Sequence, residues 1–279
     1  MTKAFVTLAF ATFATAIAAV QFTDPADVLL DEAPATGASF KLSATLQDHM
    51  VLQRDGEGAL VWGFAPEGTT VVTSFNNHQI TSAADNMTVW RARLPPTPAT
   101  STPQTISFKA STGETALLKD VLFGDVYICG GQSNMQFSVG GNENAAAYAS
   151  EANKYPDIRL FTVGQKTSSK TPLSDLATIE QSWAAASNVS VTDGSAFNYF
   201  SAVCWFFGKN VYDGLGGNVP VGLVSNNWGG TRVEQWTPPP STAACGHASS
   251  GELYNAMIVP YTVGPMAVSG FTWYQGESE

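Results

Sequence analysis

The stretch VLFGDVYIC, residues 121–129, leads directly into GGQSNM, residues 130–135. A nearly continuous apolar run of this length is typical of a strand whose two faces are both covered by helices. The paired glycines and the polar residues after them indicate a sharp turn into a helix, because glycine tolerates backbone angles that other residues avoid. This strand–turn–helix segment predicts an α/β fold.

The chain after this segment alternates between predicted helices and predicted strands. Between Phe197 and Val211, apolar residues recur at three- and four-residue steps, which places them on one stripe of an amphipathic helix. A strand at 219–224, a helix at 252–259 and a strand at 270–274 follow. Such alternation is typical of a parallel, doubly wound sheet. We therefore predict an α/β domain over residues 120–279.

The segment before residue 120 has a different pattern. Over residues 40–119, short alternating runs of apolar and polar residues are separated by glycine, proline and asparagine. Evenly spaced short strands with such turn residues predict a small antiparallel β-sandwich. Within it, we expect the proline-rich residues 95–103 to form an exposed loop.

Composition limits the kinds of partner that this protein takes. The 279 residues carry 23 acidic and 13 basic side chains, for a formal net charge of −10. That charge argues against binding to nucleic acid or to an anionic membrane surface, because either would repel it. The histidines at 49, 78 and 247 have no metal-ligand spacing, so we expect neither a metal ion nor another cofactor.

Residues 1–18 have the pattern of a secretory signal peptide. Lys3 precedes an apolar run, and Ala16 and Ala18 offer the small residues that a signal peptidase requires. We expect cleavage after Ala18, a secreted or lumenal protein, and no membrane attachment after cleavage. An uncleaved anchor is the alternative, although the run is short for a bilayer. Secretion would make the sequons at Asn86 and Asn188 candidate glycosylation sites.

Secretion also permits disulfides between the three cysteines. Cys129 closes the predicted buried strand and Cys204 lies on the apolar face of the predicted helix, so we expect both to be inert buried thiols. With an odd number of cysteines, at least one has no partner within the chain. The pattern leaves the pairing of these two and of Cys245 open.

Polar and glycine-rich motifs follow three of the predicted strands. They are GGQSNM at 130–135, NNWGGT at 226–231 and QGES at 275–278. In an open α/β sheet, ligands bind where the carboxyl ends of the strands meet their loops. We therefore expect these three motifs to converge.

Converging in this way, the motifs supply what acyl transfer needs. Ser133 offers a hydroxyl on a tight turn, where the attacking oxygen is accessible. Its own N–H, a glycine N–H and the Gln275 amide would donate to a tetrahedral oxyanion, at about 3 kcal/mol of barrier each. Each motif alone also has an ordinary explanation. Ser133 could cap a helix, the twin glycines could make a turn, and Gln275 and Glu277 could be surface residues.

With their flanking residues, the motifs closely resemble those of the sialate O-acetylesterases, a branch of the SGNH-type hydrolases. The matching stretches are GGQSNM, NNWGGTRVEQW at 226–236 and WYQGESE at 273–279, with DHMVLQR at 48–54 and VWG at 61–63 further upstream. The resemblance covers about residues 40–279. It implies a flavodoxin-like SGNH hydrolase domain with a parallel sheet, preceded by a small antiparallel β-sandwich.

The resemblance also implies an activity, the hydrolysis of acetyl esters on sugar hydroxyls through an acetyl-serine intermediate. Ser133 is implied as the nucleophile, and Gly229 or Gly230 with Gln275 would complete the oxyanion hole. The substrate is then an acetylated carbohydrate. A noncatalytic carbohydrate-binding protein or pseudoenzyme on the same fold is the alternative.

Residues beside the motifs are candidates for binding the sugar. They are Gln132, Asn134, Arg232, Glu234, Trp236 and Glu277. For the second motif there is a competing interpretation, in which Arg232 pairs with Glu234 within a short helix and Trp236 packs beneath it.

A serine nucleophile needs a general base, because its hydroxyl is scarcely ionised at neutral pH. In similar enzymes the base is a histidine in an Asp-x-x-His element downstream of the third motif, and these 279 residues contain no such element. His247 is a remaining candidate, although a loop histidine is more often solvated. We expect the chain alone to lack its catalytic His and Asp. We also expect it to be the N-terminal part of a longer enzyme, since nothing follows the strand at 270–274 to cover its edge.

Overall fold

The computed structural model describes residues 39–247 and 249–277, so the predicted signal peptide lies outside the described residues. Twelve strands and five α-helices are formed within that part of the chain. The strands are β1 (Lys41–Leu42), β2 (Val51–Gln53), β3 (Leu60–Phe64), β4 (Thr70–Phe75), β5 (His78–Ala83), β6 (Val89–Arg93), β7 (Thr100–Ala110), β8 (Thr115–Gly131), β9 (Ile158–Val163), β10 (Ile179–Ala185), β11 (Val221–Asn227) and β12 (Gly270–Tyr274).

The helices are short except for one. They are α1 (Ser133–Gln136), α2 (Ala145–Ala152), α3 (Ala202–Gly214), α4 (Pro239–Ala244) and α5 (Pro260–Val263), with 3₁₀ turns at Val139–Gly141 and Val233–Trp236 and a π-helical turn at Tyr254–Ile258. Among the described residues, no helix is both long and apolar enough to cross a lipid bilayer.

The strands form two sheets. A small antiparallel sheet has the order β1-β3-β6, and a nine-stranded sheet contains the rest. Within the large sheet, β9, β11, β8 and β12 are mutually parallel neighbours in that order, with the chain crossing over between them. This arrangement confirms the α/β fold with a small antiparallel sheet before the main one.

One strand, β8, links the two halves of the large sheet. Its first part, from Thr115 to Phe123, pairs antiparallel with β7, and its last part, from Asp125 to Gly131, pairs parallel with β11. The strand runs unbroken through residue 120, where we placed a domain boundary. The boundary itself stays a prediction, and the main sheet continues across it.

The prediction of a wholly parallel sheet in the α/β half is wrong at one edge. The edge strand β10 runs antiparallel to β9. Residues 164–178 between them contain no helix, and a parallel return requires a crossover of a dozen or more residues, usually helical. The chain instead reverses direction after β9 and forms β10 antiparallel to it.

Three local predictions also need correction. The helix predicted from Phe197 begins at Ala202, because the Ser201 side chain accepts a hydrogen bond from the Cys204 N–H and caps it there. The predicted loop at 95–103 gives way to β7 at Thr100, and the proline at 103 lies in a register shift of the pairing with β8, where a strand tolerates proline. The helix predicted at 252–259 forms as the π-helical turn followed by α5.

Cys129 and Cys204 form a disulfide, so the expectation of two free buried thiols is wrong. The two α-carbons lie 5.9 Å apart, and both side chains are fully buried where α3 packs against β8. The sequence placed both residues on apolar faces without showing that these faces meet. The bond fastens the end of β8, four residues before Ser133, to the longest helix. Cys245 is free and exposed.

Charged residues lie at the amino ends of the parallel strands. Arg159 on β9 donates to both carboxylate oxygens of Asp120, at 2.7 and 3.2 Å, and His49 Nδ1 lies 2.7 Å from the same carboxylate. Arg54 contacts Asp125 in the same bidentate way, at 2.9 and 3.1 Å. These pairs tie the chain before β3 to the main sheet.

Candidate active site

The turn after β8 is shaped by its close approach to β12. A Cβ atom at Gly130 would lie 2.4 Å from the Trp273 ring, and one at Gly131 would lie 2.0 Å from the Tyr274 carbonyl oxygen. Gly131 also has a φ of +137°, which a side chain would strain. Only glycine at these two positions lets β12 reach the turn that carries Ser133.

Ser133 is the first residue of α1 and is partly exposed. The residue before it, Gln132, is completely buried, and its backbone N–H donates to the Tyr274 carbonyl at 3.0 Å. Within the described residues, no hydrogen bond occupies the Ser133 hydroxyl. The buried Gln132 therefore holds the turn against β12, while the Ser133 hydroxyl stays open to solvent.

The second motif contacts Ser133 directly. A Cβ atom at Gly229 would lie 3.3 Å from both the Cα and the Cβ of Ser133. The Gly229 N–H donates to Gln136 Oε1 at 2.7 Å. Gly230 has a φ of +75° and open space on its side-chain face. Of the two predicted glycine donors, Gly229 thus already has an acceptor in this conformation.

The third motif joins the other two through Gln275. Its Nε2 donates to the Thr231 carbonyl at 2.8 Å and to Gln132 Oε1 at 3.2 Å. Beyond it, Glu277 Oε1 accepts from the Asn134 N–H at 3.3 Å. The three motifs that follow separate strands therefore meet around one turn. Both hydrogens of the Gln275 amide already have acceptors, so its role as an oxyanion donor stays a prediction.

Buried amides dominate the floor of this site. Three of their polar atoms have no hydrogen-bond partner within the described residues, namely Gln132 Nε2, Asn226 Oδ1 and Gln275 Oε1. One atom comes from each of the three motifs. A buried polar atom without a partner costs about 1–3 kcal/mol, so the site has hydrogen-bonding capacity that the fold does not use.

Two residues that sequence reasoning missed hold the loops in place. Gln136 is buried, and its Nε2 donates to Gln165 Oε1 and to the Phe197 carbonyl, each at 2.7 Å. Gln165 in turn donates to the Asn227 carbonyl at 2.8 Å. Gln136 lies three residues after Ser133, and that helical spacing was a usable signal. Gln165 lies in the loop after β9, and no sequence pattern there indicated a role at the site.

The predicted sugar-binding residues divide into exposed and buried groups. Asn134 and Arg232 are exposed, but Trp236 is only 5% exposed and donates from Nε1 to Thr231 Oγ1 at 2.9 Å. Its ring packs edge-on against Trp273, with centroids 5.4 Å apart. Trp236 therefore braces the second loop from the interior, as the competing interpretation proposed.

The ion pair in that competing interpretation does not form. Among the described residues, Arg232 makes no salt bridge to Glu234, and its backbone N–H is instead capped by Gln235 at 2.9 Å. His247 is exposed, and its side chain makes no hydrogen bond to Ser133 in the described part of the chain. The site as described thus brings together the nucleophile turn and the loops, without a base at the hydroxyl.

A mixed α/β sheet with a serine turn at the carboxyl end of a central strand defines an SGNH-like protein. A solved structure, a carbohydrate acetylesterase from Xanthomonas citri, has this fold, with a TM-score of 0.72 and 32% identity over 85% of this chain and 52% of that one. Residues 123–279 match the family described as "Carbohydrate esterase, sialic acid-specific acetylesterase". The chain belongs to this family.

Curated relatives support the same assignment. Sialate O-acetylesterase of Homo sapiens is 34% identical over 272 residues, which cover 88% of this chain and 50% of the relative. The protein of that name from Mus musculus is 32% identical over 298 residues, covering 88% of this chain and 53% of the relative. The chain spans about half the length of the curated relatives it matches.

Proposed function

We propose that this protein is a carbohydrate O-acetylesterase, most like the sialate O-acetylesterases, that hydrolyses acetyl esters on sugar hydroxyls. The observation that carries the proposal is the meeting of three strand-end motifs around Ser133 in a chain of this family. The substrate class follows from the family description and from the names of the relatives. In this function the protein is a serine esterase.

In the proposed mechanism the Ser133 oxygen attacks the acetyl carbonyl carbon, and a base takes the hydroxyl proton. The bond between that carbon and the sugar oxygen then breaks, and the sugar leaves with the proton as a free hydroxyl. Water attacks the acetyl-serine in the same way, releasing acetate and restoring Ser133. The Ser133 N–H, an N–H from Gly229 or Gly230 and the Gln275 amide are the donors we assign to the oxyanion.

The base is assigned from the resemblance. It would be the histidine of an Asp-x-x-His element, which the 279 residues do not contain. We infer that this sequence alone lacks its catalytic His and Asp. Activity measurements therefore use the natural-length protein, meaning the product of the whole coding sequence.

We also propose that the protein enters the secretory pathway, through a signal peptide at residues 1–18, and is secreted or lumenal. The buried disulfide between Cys129 and Cys204 supports an oxidising compartment. The two sequon asparagines, Asn86 and Asn188, have exposed side chains, as glycosylation requires. Expression in a secreting cell, followed by N-terminal sequencing and glycosidase treatment, tests these assignments.

Acetate release tests the proposed function. We expect the natural-length protein to release acetate from O-acetylated sialic acid or another acetylated sugar. The Ser133→Ala variant should lose at least about 1,000-fold in kcat while keeping its unfolding midpoint, because the residue carries chemistry rather than packing. If the natural-length protein binds acetylated sugars without releasing acetate, the noncatalytic alternative is correct.

A further inference from the structure

We propose that a cavity beside the nucleophile turn is the subsite that holds the sugar ring of the acetyl ester, an inference that rests on the proposed function. The cavity has a volume of about 370 Å³, within the range of ~300–1,000 Å³ that is typical of small-molecule sites. Its lining comprises Thr162, Val163, Gln165, Lys166, Glu180, Phe197, Asn198 and Trp228. None of these residues was a candidate from the sequence.

The cavity adjoins the serine turn through two connections. Trp228 directly precedes Gly229, the residue that packs against the Cα and Cβ of Ser133. On the other side, Gln136 in the nucleophile helix donates to Gln165 and to the Phe197 carbonyl, both of which belong to the cavity wall. The cavity wall is therefore joined to the serine turn through Gly229 and Gln136, which is why we assign the sugar to this cavity.

The chemistry of the wall suits a sugar ring. Phe197 is 50% exposed, and its ring is held edge-on by Phe137, with centroids 5.7 Å apart. An aromatic ring fixed in this way offers a flat apolar face to the C–H groups of a sugar. Around it, the Asn198 side-chain carbonyl and the charged groups of Lys166 and Glu180 offer acceptors and donors for hydroxyls.

Removing the Phe197 ring tests the subsite by separating sugar binding from chemistry. In the natural-length protein, Phe197→Ala should raise KM for an O-acetylated sugar about tenfold. The value of kcat/KM for phenyl acetate, which has no sugar ring to seat, should stay within about twofold. Phe197→Tyr keeps the flat face and should restore the sugar KM. Leu117→Ala is the matched control, because Leu117 is 49% exposed but lies on β8 away from the site.

An unchanged sugar KM in Phe197→Ala would overturn the subsite, and so would an equal loss on both substrates that Phe197→Tyr does not repair. Calorimetric titration with N-acetylneuraminic acid, the sugar without its O-acetyl ester, tests the subsite without turnover. Binding by the natural-length protein that weakens about tenfold in Phe197→Ala supports it. Binding that Phe197→Ala leaves unchanged contradicts it. Failure of the natural-length protein to release acetate from any ester would instead refute the proposed function, and this titration would still decide the subsite.

Discussion

The two ends of the parallel strands differ in kind. At the amino ends, Arg159 and Arg54 pair with Asp120 and Asp125, so each carboxylate there has charged partners. At the carboxyl ends, three buried amide atoms and the buried Oε2 of Glu234 have no partner within the described residues. At the amino ends of the parallel strands, ion pairs join neighbouring segments of the chain. At the carboxyl ends, buried polar atoms are left free to hydrogen-bond a ligand.

Both kinds of residue occur along β8, which carries Asp120 and Asp125 and ends at the turn before Ser133. The Arg54–Asp125 pair holds the chain before β3 against the main sheet, and the Arg159–Asp120 pair joins β9 to β8. Unpartnered amides beside an open serine are costly to the fold, and such a cost is typical of sites that bind something else. Changes at the amino ends should therefore leave kcat unchanged, whereas changes to the buried amides at the carboxyl ends should lower kcat.

The largest effect on stability is expected from the disulfide beneath the carboxyl end of β8. Closing a loop of 75 residues constrains the unfolded chain, so Cys204→Ser should lower the free energy of unfolding by about 4 kcal/mol. Urea denaturation of the oxidised protein measures it. Cys245→Ser is the matched control, since Cys245 is free and exposed and its loss should leave the midpoint unchanged. Equal midpoints for Cys204→Ser and the unmodified protein would show that the bond does not form.

Gln136→Ala tests whether the buried amides position the reacting groups. Without Gln136, the Gly229 N–H and Gln165 lose their partner, so the loop against Ser133 loosens. We expect kcat to fall about 30-fold and KM to change by less than about twofold. Gln136→Glu replaces the Nε2 donor by an oxygen that faces the Gln165 and Phe197 oxygens, so it should lose at least as much activity as Gln136→Ala. A rise in KM with unchanged kcat would contradict a positioning role.

The smallest effect is expected at the amino ends, from the Asp120 carboxylate. The hydrogen bond from Arg159, with help from His49, lowers the pKa of Asp120 below its usual value of about 3.9. Its stabilising contribution is therefore present above pH 4 and is lost as pH falls through the lower folded pKa. Because the side chain is 30% exposed, the contribution is less than about 1 kcal/mol.

Urea midpoints measured from pH 6 to pH 2 check this expectation. Asp120→Asn should flatten part of the acid decline and leave kcat at neutral pH unchanged. A loss of kcat in that variant would show that the amino ends are coupled to the chemistry after all.

Sequence reasoning succeeded where the deciding contacts are local. Two glycines and a serine after an apolar strand predict the turn at 130–135, and their spacing is enough because the turn is made by consecutive residues. The alternation of strands and helices was likewise sufficient for the α/β fold with a small antiparallel sheet before it.

The failures involve contacts between segments that are distant in the chain. Gln165 reaches the site from the loop after β9, and the Cys129 partner lies 75 residues away, so neither has a local pattern. The antiparallel β10 depends on the absence of a helix in the preceding loop. For Trp236 the sequence left two interpretations open, and its hydrogen bond to Thr231 and its packing on Trp273 favour the interior one.

Covalent labelling tests the account most directly, because it asks whether the serine turn is a working nucleophile. The natural-length protein is treated with an activated phosphonate ester, and the modified peptide is located by mass spectrometry. We predict one phosphonyl group per chain, on the peptide that contains Ser133, and parallel loss of acetate release. Acetate release that continues while Ser133 stays unmodified, or a label on another residue that abolishes it, would contradict the account.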